Sequence, residues 1–233
     1  MIPPHNLTIP NIKLAAPPER ATIARHSGPG LRLIVWVQGC SLLCTRHCLN
    51  PHLLKQDGGY HVPASRLIQS LLRGAQDYSE VEGVTVLGGE PFDQAEALAY
   101  AFAPLRRAGL STMIYTGHTL EDLRAKNAAA VNRLLSLCDI LVDGPFVDEL
   151  YNESLIWRGS SNQRVLLLSR RYTDEDVERA LSMQKRAAAI SVGPRGDVMV
   201  SGAQNLQTAR HLRQLTVPAK HSRESLSQGG TKR

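Results

Sequence analysis

Five short apolar runs constrain the fold of this chain more than any other feature: LRLIVWVQ (31–38), GVTVLGG (83–89), STMIYTG (111–117), DILVDG (139–144) and RVLLLS (164–169). Each is short and largely apolar, the first is rich in β-branched residues, and each ends at glycine or a polar residue, which suits a buried strand. The segments between them carry helical signals. PASRLIQSLLRGAQ (63–76) opens at Pro63 and repeats leucine and isoleucine at helical spacing, and DQAEALAYAFAPLRRAG (93–109) stops at Gly109. Thr119 and Asp122 stand at capping-box spacing before a stretch that runs, with a break, to Leu137. Thr173 and Asp176 repeat that spacing before TDEDVERALSMQKRAA (173–188), and AISVGPRGDVMVSG (189–202) reads as a hairpin turning at 193–196. Strands alternating with helices imply βαβ units, hence an α/β fold of mainly parallel strands with helices outside.

Ligand sites in such sheets lie beyond the carboxyl ends of the strands, and here those ends carry the unusual loops. After the first run comes GCSLLCTRHCLNP (39–51), which holds Cys40, Cys44 and Cys48, three of the four cysteines of the chain. GGEP (88–91), YTGHT (115–119) and DGPF (143–146) follow the next three runs. Three closely spaced thiols cannot pair among themselves without a remainder, so metal ligation is the leading reading. With His47 or His52 they match a Cys3His zinc site, and without a fourth ligand they match a 4Fe-4S cluster with one open iron. Cys138, at the start of an apolar run, reads as a small core residue.

Composition limits the remaining classes. A chain of 233 residues, 42% hydrophobic and 21% charged, fits one globular domain with a tail. Residues 1–23 read as an extended Pro-rich arm, 24–205 as the folded domain and 206–233 as a basic, disordered tail. The formal charge of +6 is concentrated in that tail, where six Lys/Arg against one acid give +5 and leave +1 on the rest. The distribution argues against a nucleic-acid surface on the folded part, and a nucleic-acid-binding tail stays as a separate reading. No run approaches the length of a signal peptide or of the ~18 apolar residues of a membrane span, so the expected location is the cytoplasm.

Taken in order, GPGLR (28–32), VQGCSLLC (37–44), CLNP (48–51), LGGEPFDQ (87–94), YTG (115–117), DGPF (143–146) and WRGSSNQR (157–164) resemble the radical S-adenosylmethionine family. The similarity is greatest to its glycyl-radical-enzyme activating members, of the anaerobic ribonucleotide reductase type, and it spans about residues 24–203. The resemblance implies a partial (βα) barrel. It implies that Cys40, Cys44 and Cys48 hold a 4Fe-4S cluster whose fourth iron takes S-adenosylmethionine. It further implies reductive cleavage to a 5′-deoxyadenosyl radical that abstracts a glycine hydrogen from a large glycyl-radical enzyme. A flavodoxin- or ferredoxin-type donor would supply the electron.

Gly88, Gly89, Glu90 and Pro91 match the segment that receives the methionine amino group, and Thr116, Gly117 and Asp143 would line the ribose or methionine side. The family spaces its ligands Cys-x3-Cys-x2-Cys; here the second gap is three residues, and His47 takes the place that contributes to the adenine side. His47 as a fourth ligand would instead close the cluster. Two alternatives stay open at this point: a non-catalytic zinc or closed iron-sulfur module, and a radical enzyme that modifies another peptide or a small substrate. Arg158 reads as a carboxylate or phosphate contact or as a surface charge, and Ser160 to Gln163 receive no role.

Overall fold

The computed structural model describes residues 8–45 and 48–184, together with the backbone of two strands at 188–192 and 198–202. In chain order the elements are β1 (Asn11–Leu14), β2 (Thr22–Ala24), β3 (Leu31–Val37), β4 (Tyr60–Pro63), α1 (Ala64–Asp77), β5 (Val81–Gly88), α2 (Ala95–Arg107) and β6 (Ser111–Tyr115). They continue with α3 (Leu120–Ala125), α4 (Ala129–Ser136), β7 (Ile140–Asp143), β8 (Arg164–Leu167), α5 (Asp174–Met183), β9 (Ala188–Val192) and β10 (Val198–Gly202).

One sheet runs in the order β4-β1-β3-β5-β6-β7-β8, with β2 also paired to β3, and its two end strands do not meet. The α/β expectation is met. Parallel pairing, however, is confined to β3, β5, β6 and β7. Strand β8 returns antiparallel to β7, because the connection at 144–163 holds only a 3-10 turn and irregular chain where a parallel crossover would need a helix. Strand β1, inside the segment expected as an arm, pairs antiparallel with β4 and buries Ile12 and Leu14. The hairpin expected at 189–202 forms as β9 and β10, while its turn and the basic tail fall outside the described residues.

Alternation along the strands builds two faces. Leu33, Val35 and Val37 of β3, Val84 and Val86 of β5, Ile114 of β6 and Leu141 of β7 join one large core. Leu67 and Leu71 of α1, Leu98, Phe102 and Leu105 of α2, and Val131 and Leu134 of α4 complete it. The intervening residues face the other way: Ile34, Trp36 and Leu87 form a second cluster, and Met113, Ile140 and Val142 form a third with Trp157, against which Val177, Ala180 and Leu181 of α5 lie. Parallel strands are thus covered on both faces, which explains their continuous apolar character.

Arg32 stands out on this second face, because it is fully buried. Its guanidinium donates to Thr85 Oγ1 at 2.6 Å, Ser111 Oγ at 2.8 Å and the Val84 carbonyl at 2.9 Å. These bonds replace hydration that burial removes.

Both capping boxes form as the sequence predicts, with Asp122 N donating to Thr119 Oγ1 at 3.1 Å and Asp176 N to Thr173 Oγ1 at 3.2 Å. The expected break in the helical stretch falls between α3 and α4, where Asn127 adopts φ 44°. Thr119→Ala is expected to lower stability by about 1 kcal/mol, read as a shift of the urea midpoint. An unchanged midpoint would mean that α3 does not need its cap.

Candidate active site

The carboxyl ends of β3, β5 and β6 open on a cavity of about 230 Å³. Cys40, Cys44 and Cys48 line it, as do Gly88, Gly89 and Glu90 at the end of β5 and Tyr115, Thr116 and Gly117 at the end of β6. From the far side come Phe146, Trp157 and Arg158, on the chain that connects β7 to β8.

Parallel pairing of Val37 with Gly88 sets the cysteine loop beside the GGEP turn. Glu90 N donates to the Gly39 carbonyl at 2.8 Å, and Gly89 N to the Val37 carbonyl at 2.9 Å. A side chain at Gly89 would overlap the Gly39 carbonyl oxygen, so this approach requires glycine. Asp93 adds a clamp: its carboxylate accepts from both Ser41 N and Ser41 Oγ at 2.7 Å. On the other side Thr45 Oγ1 donates to Asp148 Oδ2 at 2.7 Å, and Gly39 N donates to the Leu53 carbonyl at 2.8 Å. The loop that bears Cys40 and Cys44 is thereby held from three directions, and Leu43 within it takes φ 44°, a conformation uncommon for a leucine.

Glu90 is almost wholly buried. Its carboxylate accepts from Phe92 N at 2.9 Å, Thr116 Oγ1 at 2.8 Å and Gly117 N at 3.0 Å. It therefore ties the end of β5 to the end of β6 as well as capping the turn at Pro91–Gln94. Burial pushes its carboxyl up to about 7, with the three donors opposing the shift. Gly117 leaves open space at this point: a methyl there would sit 3.8 Å from both Cys44 Sγ and Glu90 Oε2 and crowd Leu42 at 2.8 Å.

The raised Glu90 value fixes the sign of a pH effect. The folded protein keeps this proton up to about pH 7, whereas the unfolded chain releases it near 4.5. Its contribution is fully present below the lower value and is lost as pH rises through the upper one. In the metal-free protein, Glu90→Gln is expected to remove this loss, so that the variant gains on the wild type as pH climbs from 4.5 to 7. Denaturant unfolding across that range checks it, and parallel pH profiles for the two proteins would refute it.

Not every residue singled out in the sequence reaches the cavity. Asp143 does not line it. Its buried carboxylate accepts from Leu120 N at 2.7 Å and pairs with Arg164, so it joins β7, β8 and α3. Where a ribose or methionine contact was expected, the structure shows this scaffold role, and Gly144 is the neighbour that lines the cavity. Pro91 is buried at the first position of its turn and also stands off the lining. His47 lies outside the described residues, and His52 is not part of the lining. Cys138 is fully buried, as expected of a core residue, and its thiol donates to the Ile140 carbonyl at 3.0 Å.

The sequence assigned no role to Ser160 to Gln163, which build the loop on the far wall. Gln163 Oε1 accepts from Gly159 N at 2.8 Å and Ser160 N at 3.2 Å, and its Nε2 donates to the Gly144 carbonyl at 3.0 Å. Trp157 enters this loop at φ 65°, strained for an aromatic residue, and is held by its indole donating to Gln184 Oε1 at 2.7 Å.

Among the described residues, no group of three or more His, Cys, Asp or Glu side chains is gathered for a single metal ion, so the three thiols share a wall without closing on one point. As a donor set they are soft and free of carboxylate, which suits an iron-sulfur cluster.

Residues 26–166, more than half of the chain, match the 4Fe-4S single cluster domain. The chain belongs to that family. It is 30% identical over 146 residues to the anaerobic ribonucleoside-triphosphate reductase-activating protein of Salmonella typhi, covering 60% of this chain and 90% of that protein. The protein of the same description from Escherichia coli (strain K12) is 30% identical over 145 residues, with the same shares. A pyruvate formate-lyase-activating enzyme of Streptococcus mutans is 27% identical over 150 residues, which is 63% of this chain and 56% of that enzyme. The span matched to the 4Fe-4S single cluster domain contains all four cysteines, and the geometry separates the three on the cavity from the buried fourth. No helix among the described residues is long and apolar enough to cross a membrane.

Proposed function

We propose that this protein is a radical S-adenosylmethionine enzyme that activates a glycyl-radical partner. Cys40, Cys44 and Cys48 would hold the 4Fe-4S cluster. The observation that carries the reading is the meeting of these three thiols, the GGEP turn and the YTG strand end on one cavity. The names of the relatives support the activating role and favour an anaerobic ribonucleotide reductase as the partner.

When bound, the reduced cluster supplies the electron that cleaves S-adenosylmethionine at its sulfonium and so makes hydrogen abstraction possible. The protein contributes placement and exclusion. Glu90, fixed between β5 and β6, would offer a carboxyl oxygen to the ammonium of the bound amino acid, whose positive charge would favour the ionised form that burial alone disfavours. Gly89 lets the GGEP turn lie against the cysteine loop at Gly39, and Gly117 would leave room for the ligand between Cys44 and Glu90. Leu42, Leu87, Tyr115, Phe146 and Trp157 give the cavity a largely apolar lining, which limits the water able to quench a reactive species. The partner's glycine segment would enter at the cysteine-loop side, where Leu43 is 63% exposed. A flavodoxin- or ferredoxin-type protein would deliver the electron.

The test is to reconstitute the protein without oxygen, reduce it, and add S-adenosylmethionine with the large subunit of an anaerobic ribonucleotide reductase. Methionine and 5′-deoxyadenosine should form, and a glycyl-radical spectrum should grow in the reductase. Neither product forming from a fully reduced cluster would overturn the proposal. Products without a glycyl signal would overturn the choice of partner and move the substrate to another peptide.

A further inference from the structure

The end strands of the sheet do not meet, so strand pairing alone does not close the wall around the cavity. Ser27, on the turn between β2 and β3, lines the cavity on one side, and Trp157, on the connection between β7 and β8, lines it on another. Gln184, the residue that ends α5, joins the two. Its Oε1 accepts from the Trp157 indole at 2.7 Å, and its Nε2 donates to the Gly28 carbonyl at 2.7 Å. An indole N–H only donates and a carbonyl only accepts, so the side chain between them must do both, as a primary amide does.

Both partners of Gln184 gain from the tie. Trp157 holds φ 65°, a conformation that persists only when its surroundings retain it. The turn at Ser27–Gly30 is already anchored from the sheet, where Thr85 Oγ1 donates to the Ser27 carbonyl at 2.7 Å and Arg32 Nη1 to the Pro29 carbonyl at 3.1 Å. Its packing is close, since a methyl at Gly28 would lie 2.7 Å from both Arg32 Cδ and Met113 Sδ. Gln184 adds the link from this fixed turn across to Trp157. The amide is itself placed by α5, which packs Val177, Ala180 and Leu181 against the cluster that contains Trp157. Gln184 lies beyond residues 26–166, so the tie stands outside the span matched to the family.

On the reading that radical chemistry takes place in this cavity, we propose that Gln184 is a positioning residue that keeps the cavity wall shut during turnover. An open wall would admit hydrogen-atom donors from solution, of which a small thiol is the simplest. Its S–H bond would break and a C–H bond form at the deoxyadenosyl radical, leaving 5′-deoxyadenosine and a thiyl radical but no glycyl radical. Removing the two hydrogen bonds raises the open population about 5- to 30-fold.

The test combines hydrogen–deuterium exchange on the reconstituted full chain, read by mass spectrometry, with product analysis in the presence of the large subunit of an anaerobic ribonucleotide reductase. Gln184→Ala is expected to speed exchange about 5- to 30-fold in both 26–30 and 157–163 and to leave α1 and α2 unchanged. Gln184→Glu keeps an acceptor for Trp157 but loses the donor to Gly28, so 26–30 alone should loosen. In Gln184→Ala the 5′-deoxyadenosine formed per glycyl radical should rise, and rise further with added dithiothreitol, to which the wild-type ratio should not respond. Faster exchange of Gln184→Ala in one segment only, or in α1 and α2 as well, would overturn the tie. Loosening of both segments with an unchanged product ratio would overturn its role in turnover. Wild-type protein that forms no 5′-deoxyadenosine would instead overturn the radical reading, while the exchange data still decide whether Gln184 holds the wall.

Discussion

Anaerobic reconstitution of Cys40→Ala, Cys44→Ala or Cys48→Ala is expected to leave iron and sulfide near background and to abolish the broad visible absorption of a cluster. Cys138→Ala should reconstitute like the wild type. The four thiols differ in surroundings, not only in spacing. Cys40 is buried at the cavity wall, Cys44 is exposed, Cys48 is half-buried, and all three share the same space. Cys138 is enclosed by the helix-side core, where its thiol bonds to a backbone carbonyl and burial pushes its pKa far up, which disfavours the thiolate a metal needs. Its replacement removes one small buried group and costs about 1 kcal/mol of stability without touching the site. Iron analysis and absorption spectra of the four variants decide the matter. Retained iron in any of the first three, or its loss in the fourth, would contradict the assignment.

Gly89→Ala should be the most damaging of the conservative substitutions. The added methyl meets the backbone carbonyl oxygen of Gly39, which cannot swing aside like the end of a side chain, and that same oxygen accepts the Glu90 N–H. Relief requires the cysteine loop and the GGEP turn to separate, which breaks the link between the two halves of the site. The expected cost is about 2–4 kcal/mol in urea unfolding, together with poor cluster loading. Gly109→Ala is the control: its φ is +87°, yet nothing lies within 4 Å of the new methyl, so about 1 kcal/mol and normal loading are expected. If the two variants behaved alike, close approach of the loops would not be what glycine provides at position 89.

The central βαβ architecture was legible because buried parallel strands must be apolar on both faces, and the runs at 31–38, 83–89, 111–117 and 139–144 are. Both capping boxes were legible for a local reason, since a threonine and an aspartate three residues apart satisfy each other's backbone. Strand direction at the edges was not legible. Whether β8 runs with or against β7 depends on the path of an irregular connection, and whether Asn11–Leu14 joins the sheet depends on a partner nearly fifty residues later. The same distinction holds at the site. The cysteines and GGEP carry their chemistry in their residue types, whereas Asp143 shows only a carboxylate at a strand end. Its use by Arg164 and the start of α3 is a tertiary fact. Arg158 was ambiguous in the same way, because burial of its Nε beside a cavity cannot be read from the WRGSSNQR stretch that contains it.

The proposed function requires a cluster held by three cysteines with one iron open to S-adenosylmethionine. The most direct measurement is the electron paramagnetic resonance spectrum of the reconstituted, reduced protein before and after that compound is added. A 4Fe-4S signal is expected whose line shape changes on addition and does not change with 5′-methylthioadenosine, which has no amino-acid group to place at the iron. A cluster signal indifferent to S-adenosylmethionine, or stoichiometric zinc in place of iron, would contradict it.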